Sequence, residues 1–337
     1  MPRLIVLKGL PGSGKSTYAA SEMKKSGNLL RVNRDELRTM LHGKDAKWSP
    51  AREKTTVSAE EAIVRGALDR YWDVIVDDTN ILGRGTRLWE DNARAWNTSL
   101  GHTGVIVLRE QQGTHIYTEI VDRTSIPIED CIRYDAGREG KARVGRGVIE
   151  RMALFGGLID LSSHDRVAVV DVDGTLANLD HRLHFMQSTP KDYDSFFASV
   201  SDDAPFYPVI AAVNKLHLDG YFIIILSGRP ANTGYDTDNW LKRYISFHRL
   251  FMRQTGDHRP DDQAKRQLME RMFEARLRKD AIKVIIDDRD SVCAVWREMG
   301  LPLIQVDHGS VTYTELSAMQ IAYDLKIPAQ VRSAASQ

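Results

Sequence analysis

The sequence predicts an α/β protein built from two doubly wound parallel-sheet domains. A chain of 337 residues is longer than one ordinary hydrophobic core accommodates. Apolar runs of strand length alternate with helical patterns, as in parallel sheets that helices cover on both faces. Two of these runs, Arg3 to Leu7 and Val167 to Val170, lead directly into a loop with polar residues and glycine. Such a loop is typical of the first strand of an α/β domain.

The later strands are predicted from similar apolar runs. They are Leu29 to Val32, Asp73 to Val76 and Val105 to Leu108 in the first half, and Phe222 to Leu226, Val284 to Ile286 and Leu303 to Val306 in the second. The segment Gly156 to Asp165 separates a helical pattern from the next strand, so we expect the domain boundary there. The predicted domains are residues 1–157 and 165–312, followed by a C-terminal helix and a frayed tail at 313–337.

Composition excludes several classes of protein. The 46 basic and 46 acidic residues cancel, which argues against a protein that holds nucleic acid by total charge alone. No stretch approaches the roughly 20 apolar residues of a membrane span. The N-terminus lacks the apolar core and cleavage site of a signal peptide, and the two distant cysteines, Cys131 and Cys293, exclude a disulfide framework. These features predict a cytoplasmic protein.

The first motif is a glycine loop that fits a phosphate-binding site. Gly9 to Ser16 reads GLPGSGKS and matches G-x-x-x-x-G-K-[ST] at every fixed position, between a strand and a helix. In such loops backbone N–H groups surround phosphate oxygens, Lys15 reaches the β- and γ-phosphates, and Ser16 holds Mg²⁺. The helix N-terminus adds its positive end. We therefore predict a site for ATP or another NTP, formed by Gly12, Ser13, Gly14, Lys15, Ser16 and Thr17.

Two polar segments follow later strands of the first half. Asp35 and Arg38 are three residues apart, so on a helix they share a face. The aspartate could accept a hydroxyl proton while the arginine holds a phosphate, although a charged helix N-terminus explains the pattern equally well. Asp77 and Asp78 end another strand. They could contact the metal-bound triphosphate or the phosphate acceptor, or only cap the next helix.

A basic stretch broken by glycines lies near the end of the first half. It could present arginines to a transferring phosphoryl group from a mobile helix, or it could be a solvated basic face. Its members are Arg133, Arg138, Lys141, Arg143, Arg146 and Arg151.

The second motif, Asp171 to Thr175, reads DVDGT and follows an apolar strand. Asp171 is placed as a nucleophile that forms a phospho-aspartate, and Asp173 can protonate the leaving oxygen. Two carboxylates this close repel each other unless a cation such as Mg²⁺ is bound. A calcium-binding loop is excluded because the other ligands of an EF-hand are missing.

Three further elements follow in the order that such a phosphohydrolase requires. Ser227 and Arg229 end a strand and offer a hydroxyl and a guanidinium to phosphate. Lys265 lies four residues after Asp261 on a predicted helix, a spacing that also suits a plain surface ion pair. Asp287-Asp288 ends another strand and is either an acidic turn or part of the metal site. The predicted metal ligands are Ser16 at the first site and Asp171, Asp173, Asp287 and Asp288 at the second.

Together these motifs resemble the bacteriophage-type polynucleotide kinase–phosphatases, a P-loop kinase fused to a haloacid dehalogenase-type phosphatase. The resemblance runs from Arg3 to about Asp307 and rests on GLPGSGKST, NRDELR, DDTN, DVDGTLA, SGR, RPDDQAK and IDDR in the family's order. It implies a Mg²⁺-dependent enzyme that transfers an NTP γ-phosphate to 5′-hydroxyl ends of RNA or DNA. It also implies removal of 3′-phosphates or 2′,3′-cyclic phosphates, a ligase that acts downstream, and a homo-oligomer.

The resemblance assigns roles to matched positions in the first half. It makes Asp35 the general base on the 5′-hydroxyl and gives Arg38 the adjacent phosphate of the acceptor. Asp78 matches the aspartate of the family's DTN element, and Arg138 matches a lid arginine on the NTP phosphates. The lid departs from the family after Cys131-Ile132, which leaves open whether Arg133, Arg138 or Arg143 acts. The segment 40–56 has no clear match.

In the second half the resemblance makes Asp171 the nucleophile and Asp173 the general acid–base. The remaining roles fall on Arg182 and Arg229 for removal of the 3′-phosphate, Ser227 and Lys265 for steadying the phosphoryl group, Asp261 for the lysine, and Asp287 and Asp288 for the metal.

Two other functions fit part of the pattern. One is a small-molecule or nucleoside kinase fused to an unrelated phosphatase, which competition between nucleosides and oligonucleotides would distinguish. The other is a non-catalytic module that binds nucleic-acid ends and uses NTP as a switch. Asp35, Asp171 and Asp173 speak against the second, because binding alone does not require those carboxylates.

Overall fold

A computed structural model describes residues 2–44, 46, 49–82, 85–99, 116–140 and 143–306. The chain divides into two compact units, residues 1–138 and 139–337. Residues 139–157 thus lie in the second unit, although the sequence prediction counts them in the first domain. The predicted strand at 105–108 and the predicted C-terminal helix at 313–337 lie outside the described residues.

The first unit contains a parallel sheet whose described strands run in the order β2–β3–β1–β4. Its elements are β1 Arg3–Lys8, α1 Lys15–Lys25, β2 Leu29–Val32, α2 Arg34–His42, α3 Pro50–Leu68, β3 Asp73–Val76, α4 Gly85–Ser99, β4 Tyr117–Asp122 and α5 Ile128–Ala136. The interiors of β1 and β3 are completely apolar and buried, as a strand covered on both faces requires. Leu4, Val76 and Trp89 belong to one core cluster, so α4 packs on one face of this sheet.

The second unit contains a parallel sheet in the order β11–β10–β5–β8–β9. Its elements are α6 Arg146–Phe155, β5 Val167–Val170, β6 Ala177–Asn178, α7 His184–Gln187, α8 Tyr193–Ala198, β7 Ala204–Pro205, α9 Tyr207–Leu218, β8 Phe222–Pro230, α10 Gly234–Tyr244, β9 Arg249–Arg253, α11 Asp261–Glu274, β10 Ile282–Asp287, α12 Asp290–Glu298 and β11 Leu303–Gln305. The short strands β6 and β7 pair antiparallel and frame an insertion between β5 and β8. This insertion includes the 3-10 turns Asp180–Arg182 and Val200–Asp202.

The predicted fold class is confirmed, and seven of the eight predicted strands have counterparts in the described residues. Two edge strands, β4 and β9, were not predicted. In β4 most side chains are polar or partly exposed, so no continuous apolar run marks it. In β9 the buried run is only three residues long and lies between two arginines. Edge strands contact one neighbour only, which weakens the apolar signal.

The polar motifs lie where the parallel strands end. The glycine loop follows β1, Asp171 follows β5, and Asp287 ends β10. In open parallel sheets this carboxyl edge is where ligands bind. Within the described residues, no helix is both long enough and apolar enough to cross a membrane.

Candidate active sites

The glycine loop of the first unit is fixed by backbone geometry that only glycine tolerates well. Gly12 and Gly14 have φ of 83° and 82°, in the left-handed region. A Cβ on Gly12 would lie 2.2 Å from the carbonyl oxygen of Cys131, so the loop packs closely against α5. α1 begins at Lys15, directly after the loop, and its first N–H groups are aimed at the same place.

Lys15 lies inside this loop. Its Nζ donates to the carbonyl oxygens of Gly9 and Leu10, at 2.9 and 2.8 Å. Burial lowers the pKa of Lys15 to about 8, against the opposing effect of Asp77, and the cation of Arg138 adds to the lowering. Arg138, the predicted lid arginine, is therefore close enough to the loop for its charge to lower the pKa of Lys15.

A second arginine supports the loop from outside. Arg123 follows β4 and donates through Nε to the carbonyl oxygen of Ser13 at 2.6 Å. Arg123 was not predicted, because it matches no motif and the strand before it was not recognised. Ser16 and Thr17, by contrast, lie exposed at the start of α1, where a bound nucleotide and metal could reach them.

The segments NRDELR and DDTN of the first unit meet at the carboxyl ends of β2 and β3. The side chain of Asn33 caps α2 by accepting from the N–H of Glu36 and donates to the carbonyl oxygen of Asp77 at 2.6 Å. The backbone N–H of Arg34 donates to Asp78 at 3.0 Å. The start of α2 is thereby fixed to the DDTN segment, as neighbouring strand ends predict.

Asp35 and Arg38 share one face of α2 and form an ion pair. The side chain of Asp35 is 86% exposed, so its carboxylate is open to an incoming hydroxyl group. Arg38 is also held by Glu53, whose two carboxylate oxygens accept from it at 2.7 and 2.8 Å. Glu53 lies on α3, inside the segment 40–56 that had no match, and sequence analysis did not predict its role.

A buried carboxylate lies behind this pair. Glu60 on α3 is completely buried and accepts from Arg34 at 2.7 and 2.8 Å, while Arg34 is also 3.2 Å from Asp78. Burial, together with the charge of Asp78, raises the pKa of Glu60 to about 8, and Arg34 opposes this rise. Nothing in the local sequence marks this residue, because its partners are 18 or more positions away.

The predicted basic stretch does not form one surface. Arg133 pairs with Asp130 on α5 at 2.8 Å, and Arg138 lies 3.5 Å from Asp135. Arg143 belongs to the second unit, where its guanidinium lies 4.6 Å from the ring centre of Tyr235.

Two arginines of this stretch lie on α6 and pack within the second unit. Arg146 contacts the buried Glu150 at 3.1 Å, and Arg151 lies over the ring of Phe155 at 4.2 Å. These two arginines therefore pack against other side chains of the second unit. Lys141 lies outside the described residues.

In the second unit the nucleophile candidate is paired with a buried lysine. Asp171 follows β5, and one of its oxygens lies 2.7 Å from Nζ of Lys265. The same nitrogen is 2.9 Å from Asp287. Burial raises the pKa of Asp171 well above its ordinary value, and Lys265 opposes that rise. Burial alone would lower the pKa of Lys265, but Asp171 and Asp287 raise it above the ordinary lysine value.

Three carboxylates converge beside this lysine. Oxygens of Asp171, Asp287 and Asp288 lie within 4.8 Å of one another, in a search of the described residues. Oxygen ligands in such a cluster fit Mg²⁺. Trp296 donates to Asp287 at 3.2 Å and Thr175 donates to Asp288 at 3.3 Å, which orients both carboxylates.

The side chain of Asp173 differs from the prediction that it is a metal ligand. It is absent from the carboxylate cluster found among the described residues, and instead accepts from Arg182 at 2.9 Å and from Arg229 at 2.7 Å. Burial would raise the pKa of Asp173, but Arg229 and Arg182 hold it below its ordinary value. The structure therefore brings this carboxylate to the two predicted phosphate-binding arginines.

Asp203 holds the two arginines in place. Arg182 donates to it at 2.6 Å and Arg229 at 2.5 Å, and all three side chains are buried. Asp203 was not predicted, because it lies in the run Ser201-Asp202-Asp203, which matches no motif spacing. Its burial between two guanidinium groups is a tertiary feature.

The end of β8 packs against the start of α11. Ser227 is completely buried, and its hydroxyl accepts from the backbone N–H of Arg229 at 3.2 Å. A Cβ on Gly228 would lie 2.2 Å from a carboxylate oxygen of Asp261, so glycine is required there.

Asp261 has closer partners than the lysine it was predicted to support. It lies 3.8 Å from Lys265, but 2.6 Å from Arg253 and 3.3 Å from Arg289. Neither arginine was predicted. Asp261 therefore contacts Lys265 only loosely and pairs mainly with these two arginines.

Comparisons with known proteins match both domains of the chain. Residues 165–311 match the family model described as the polynucleotide kinase phosphatase domain, and residues 4–153 match the AAA domain model. Residues 165–311 thus form a haloacid dehalogenase-like domain of the polynucleotide kinase phosphatase type, and it follows an AAA-type domain.

The chain is also similar to several known proteins. A putative bifunctional polynucleotide kinase/RNA ligase of Autographa californica nuclear polyhedrosis virus is 24% identical over 90% of this chain. The chain spans only 42% of that viral relative. A chain of the solved Pnkp1/Rnl/Hen1 RNA repair complex is 26% identical, with 92% of this chain and 97% of that one covered and a TM-score of 0.37. The APS kinase CysC of Mycobacterium tuberculosis is 21% identical over 40% of this chain and 69% of its own, with a TM-score of 0.30.

Proposed function

We propose that the protein heals nucleic-acid ends. It transfers the γ-phosphate of ATP or another NTP to a 5′-hydroxyl end, and it removes a 3′-phosphate or 2′,3′-cyclic phosphate. The observation that carries this proposal is the buried arrangement of Asp171, Lys265 and the two arginines beside Asp173, in a domain that matches the polynucleotide phosphatase model. Its products are the ends that a ligase requires.

In the kinase reaction the loop after β1 binds the NTP, with Lys15 and Arg138 on its phosphates, and Ser16 would be a ligand of the Mg²⁺ ion. Asp35 accepts the proton of the 5′-hydroxyl as its oxygen attacks the γ-phosphorus, and the bond to the β-phosphate oxygen breaks. Arg38, held by Glu53, binds the acceptor's adjacent phosphate. The exposed carboxylate of Asp35 suits a substrate as large as a nucleic-acid end.

In the phosphatase reaction an oxygen of Asp171 attacks the phosphorus of the 3′-phosphate. The bond between phosphorus and O3′ breaks, and Asp173 gives its proton to O3′. Water then attacks the phospho-aspartate, Asp173 takes a proton from that water, and phosphate leaves.

The groups around these two aspartates complete the phosphatase site. Asp171, Asp287 and Asp288 would hold a Mg²⁺ ion, which neutralises phosphate charge when bound. Lys265 and Ser227 steady the phosphoryl oxygens. Arg182 and Arg229 bind the same phosphate, and their charge is then shared between it and Asp173. This sharing raises the pKa of Asp173 toward the protonated form that the first step needs.

RNA ends are the favoured substrates in this proposal, with a ligase as the downstream enzyme. The viral relative is named for a kinase and an RNA ligase, and it is more than twice as long as the part this chain matches. A ligase acting separately on the products fits a chain in which both described sites are phosphoryl-transfer sites. Assembly into a homo-oligomer stays a prediction from the family resemblance.

Competition between acceptors tests the substrate class. The protein is given γ-labelled ATP, Mg²⁺ and an equimolar mixture of a 5′-hydroxyl RNA oligonucleotide, the matched DNA and free nucleosides. We expect label on oligonucleotides first, with RNA ahead of DNA. Preferential labelling of nucleosides would instead identify a small-molecule kinase with an attached phosphatase.

A further inference from the structure

A row of aromatic side chains leads from the phosphatase site to the protein surface. The guanidinium carbon of Arg182 lies 4.2 Å from the ring centre of Phe196. Phe196 meets Phe197 edge-on, with ring centres 5.1 Å apart. Phe197 stacks on Tyr193 at 6.5 Å with the rings inclined by 20°. All three aromatic residues lie on α8, inside the insertion between β6 and β7.

Packing in the hydrophobic core does not explain the two outer residues of this row, Tyr193 and Phe197. Phe196 is buried, which is the ordinary result for an aromatic residue on a packed helix. Tyr193 is 52% exposed and Phe197 is only half-buried. They are four residues apart and therefore share a face of α8. A single exposed tyrosine needs no explanation, but a stacked pair next to a phosphate-binding arginine does.

The row begins at Arg182 and leads away from the place where the 3′-phosphate would bind. Arg182 donates to Asp173 and is one of the two groups that would hold the terminal 3′-phosphate. The nucleotides attached to that phosphate must leave the site along the protein surface. The guanidinium carbon of Arg182 lies 4.2 Å from the ring centre of Phe196, and the next two ring-to-ring steps are 5.1 and 6.5 Å. At about 3.4 Å per stacked nucleotide, these steps place Tyr193 within a few nucleotides of the reacting end.

We propose that Tyr193 and Phe197 form a base-stacking platform for the single-stranded 3′ end of the substrate. The platform selects polynucleotides over mononucleotides and is indifferent to base identity, because every base has a face that can stack on an aromatic ring. This inference rests on the proposed phosphatase function. It adds the residues that would determine the preference of the phosphatase for polynucleotides.

The surroundings favour stacking over charge attraction. Tyr193 is flanked by Asp192 and Asp194. The carboxylate of Asp192 caps α8 by accepting from the N–H of Ser195 at 3.0 Å. Carboxylates repel a phosphodiester backbone, so the attraction at this point comes from the rings. The contribution of Tyr193 to binding is therefore expected to be the same at low and high salt, unlike a phosphate contact.

The test compares oligonucleotide and aryl phosphate as substrates. We would measure kcat/KM for removal of the 3′-phosphate from single-stranded oligonucleotides of one to about eight nucleotides, and for p-nitrophenyl phosphate. The variants are Tyr193→Ala, Tyr193→Phe and the control Leu218→Ala. Leu218 is 80% exposed at the end of α9 and lies outside the insertion that carries α8.

In Tyr193→Ala we expect the ratio of oligonucleotide to aryl phosphate kcat/KM to fall about five- to tenfold. The fall should lie mainly in KM and should be absent for the mononucleotide. Tyr193→Phe keeps the ring and should keep the ratio, as should Leu218→Ala. An unchanged ratio in Tyr193→Ala, or an equal loss on both substrates, would overturn the platform.

The wild-type protein distinguishes this failure from failure of the function. If wild type removes the 3′-phosphate efficiently while Tyr193→Ala behaves like it, only the platform is wrong. If wild type hydrolyses p-nitrophenyl phosphate and leaves every oligonucleotide untouched, the proposed function itself is wrong.

Discussion

Lys265 places its ammonium nitrogen 2.7 Å from a carboxylate oxygen of Asp171, and both side chains are buried. Because burial raises the pKa of Asp171, this cation is what the protein itself supplies to keep the nucleophile ionised. The same nitrogen is 2.9 Å from Asp287, so one lysine compensates two carboxylates. The charge state of the nucleophile therefore depends on a residue 94 positions away in the chain.

Replacing this lysine should shift the pH dependence of the phosphatase. In Lys265→Gln the pKa of Asp171 rises further, so the acidic limb of the pH–rate profile moves to higher pH. We expect kcat to fall about 100-fold as well, since a donor to the phosphoryl group is lost. The measurement is kcat/KM for 3′-phosphate removal across pH. If the acidic limb of the profile stays at the same pH, Lys265 does not control the pKa of Asp171.

Asp203 should act as a positioning residue for Arg182 and Arg229. In Asp203→Asn the two buried guanidinium groups lose a charged partner, which we expect to destabilise the second unit by about 3 kcal/mol. The kcat for phosphatase should fall while kinase activity persists. Denaturant unfolding and both assays check this. Asp202→Asn, on the exposed neighbour, is the matched control and should change neither quantity.

Glu53 should control acceptor binding by the kinase. Glu53→Gln weakens the two-oxygen contact that orients Arg38, and we expect the KM for 5′-hydroxyl oligonucleotide to rise about tenfold. The KM for ATP should not change, because Lys15 and the glycine loop bind the nucleotide. Glu61→Gln, on the same helix, serves as control. Equal increases in both KM values would indicate general damage instead of a role in positioning Arg38.

Glu60 should make the stability of the first unit depend on pH. Its pKa in the folded protein is about 8, against an ordinary value of 4.5, so the folded state retains a proton that the unfolded state has already released. The associated stability is fully present below 4.5 and is lost as the pH rises through about 8. Glu60→Gln cannot titrate and should lose less stability over the same interval. Thermal unfolding of both proteins at a series of pH values from about 4.5 to about 8 measures the difference.

Local motifs made much of the two sites predictable. The GLPGSGKS loop and the DVDGT segment carry their chemistry within a few consecutive residues, next to a strand that the apolar pattern identifies. Asp287 and Asp288 were predictable for the same reason, since they follow a strand in the expected order. The roles of these residues stay predictions until they are measured.

The residues that were missed act through contacts between distant parts of the chain. Glu53 holds Arg38, and Asp203 holds Arg182 and Arg229. The sequence identified these arginines, but no spacing rule connects them to their partners. Glu60 holds Arg34, which was not among the predicted site residues. Burial decides their importance, and burial depends on packing that a local pattern does not contain. The basic stretch shows the opposite case: Arg133 and Arg138 belong to the first unit, whereas Arg146 and Arg151 lie on α6 in the second unit.

The central claim is that one chain holds two independent active sites for the two ends of a nucleic acid. The most direct test uses one oligonucleotide with a 5′-hydroxyl and a 3′-phosphate, incubated with γ-labelled ATP and Mg²⁺. Label gain and 3′-phosphate loss are then resolved separately. We predict that wild type performs both, that Asp35→Ala loses only label gain, and that Asp171→Ala loses only phosphate removal. Unchanged catalysis in either variant, or loss of both activities in one, would contradict the account.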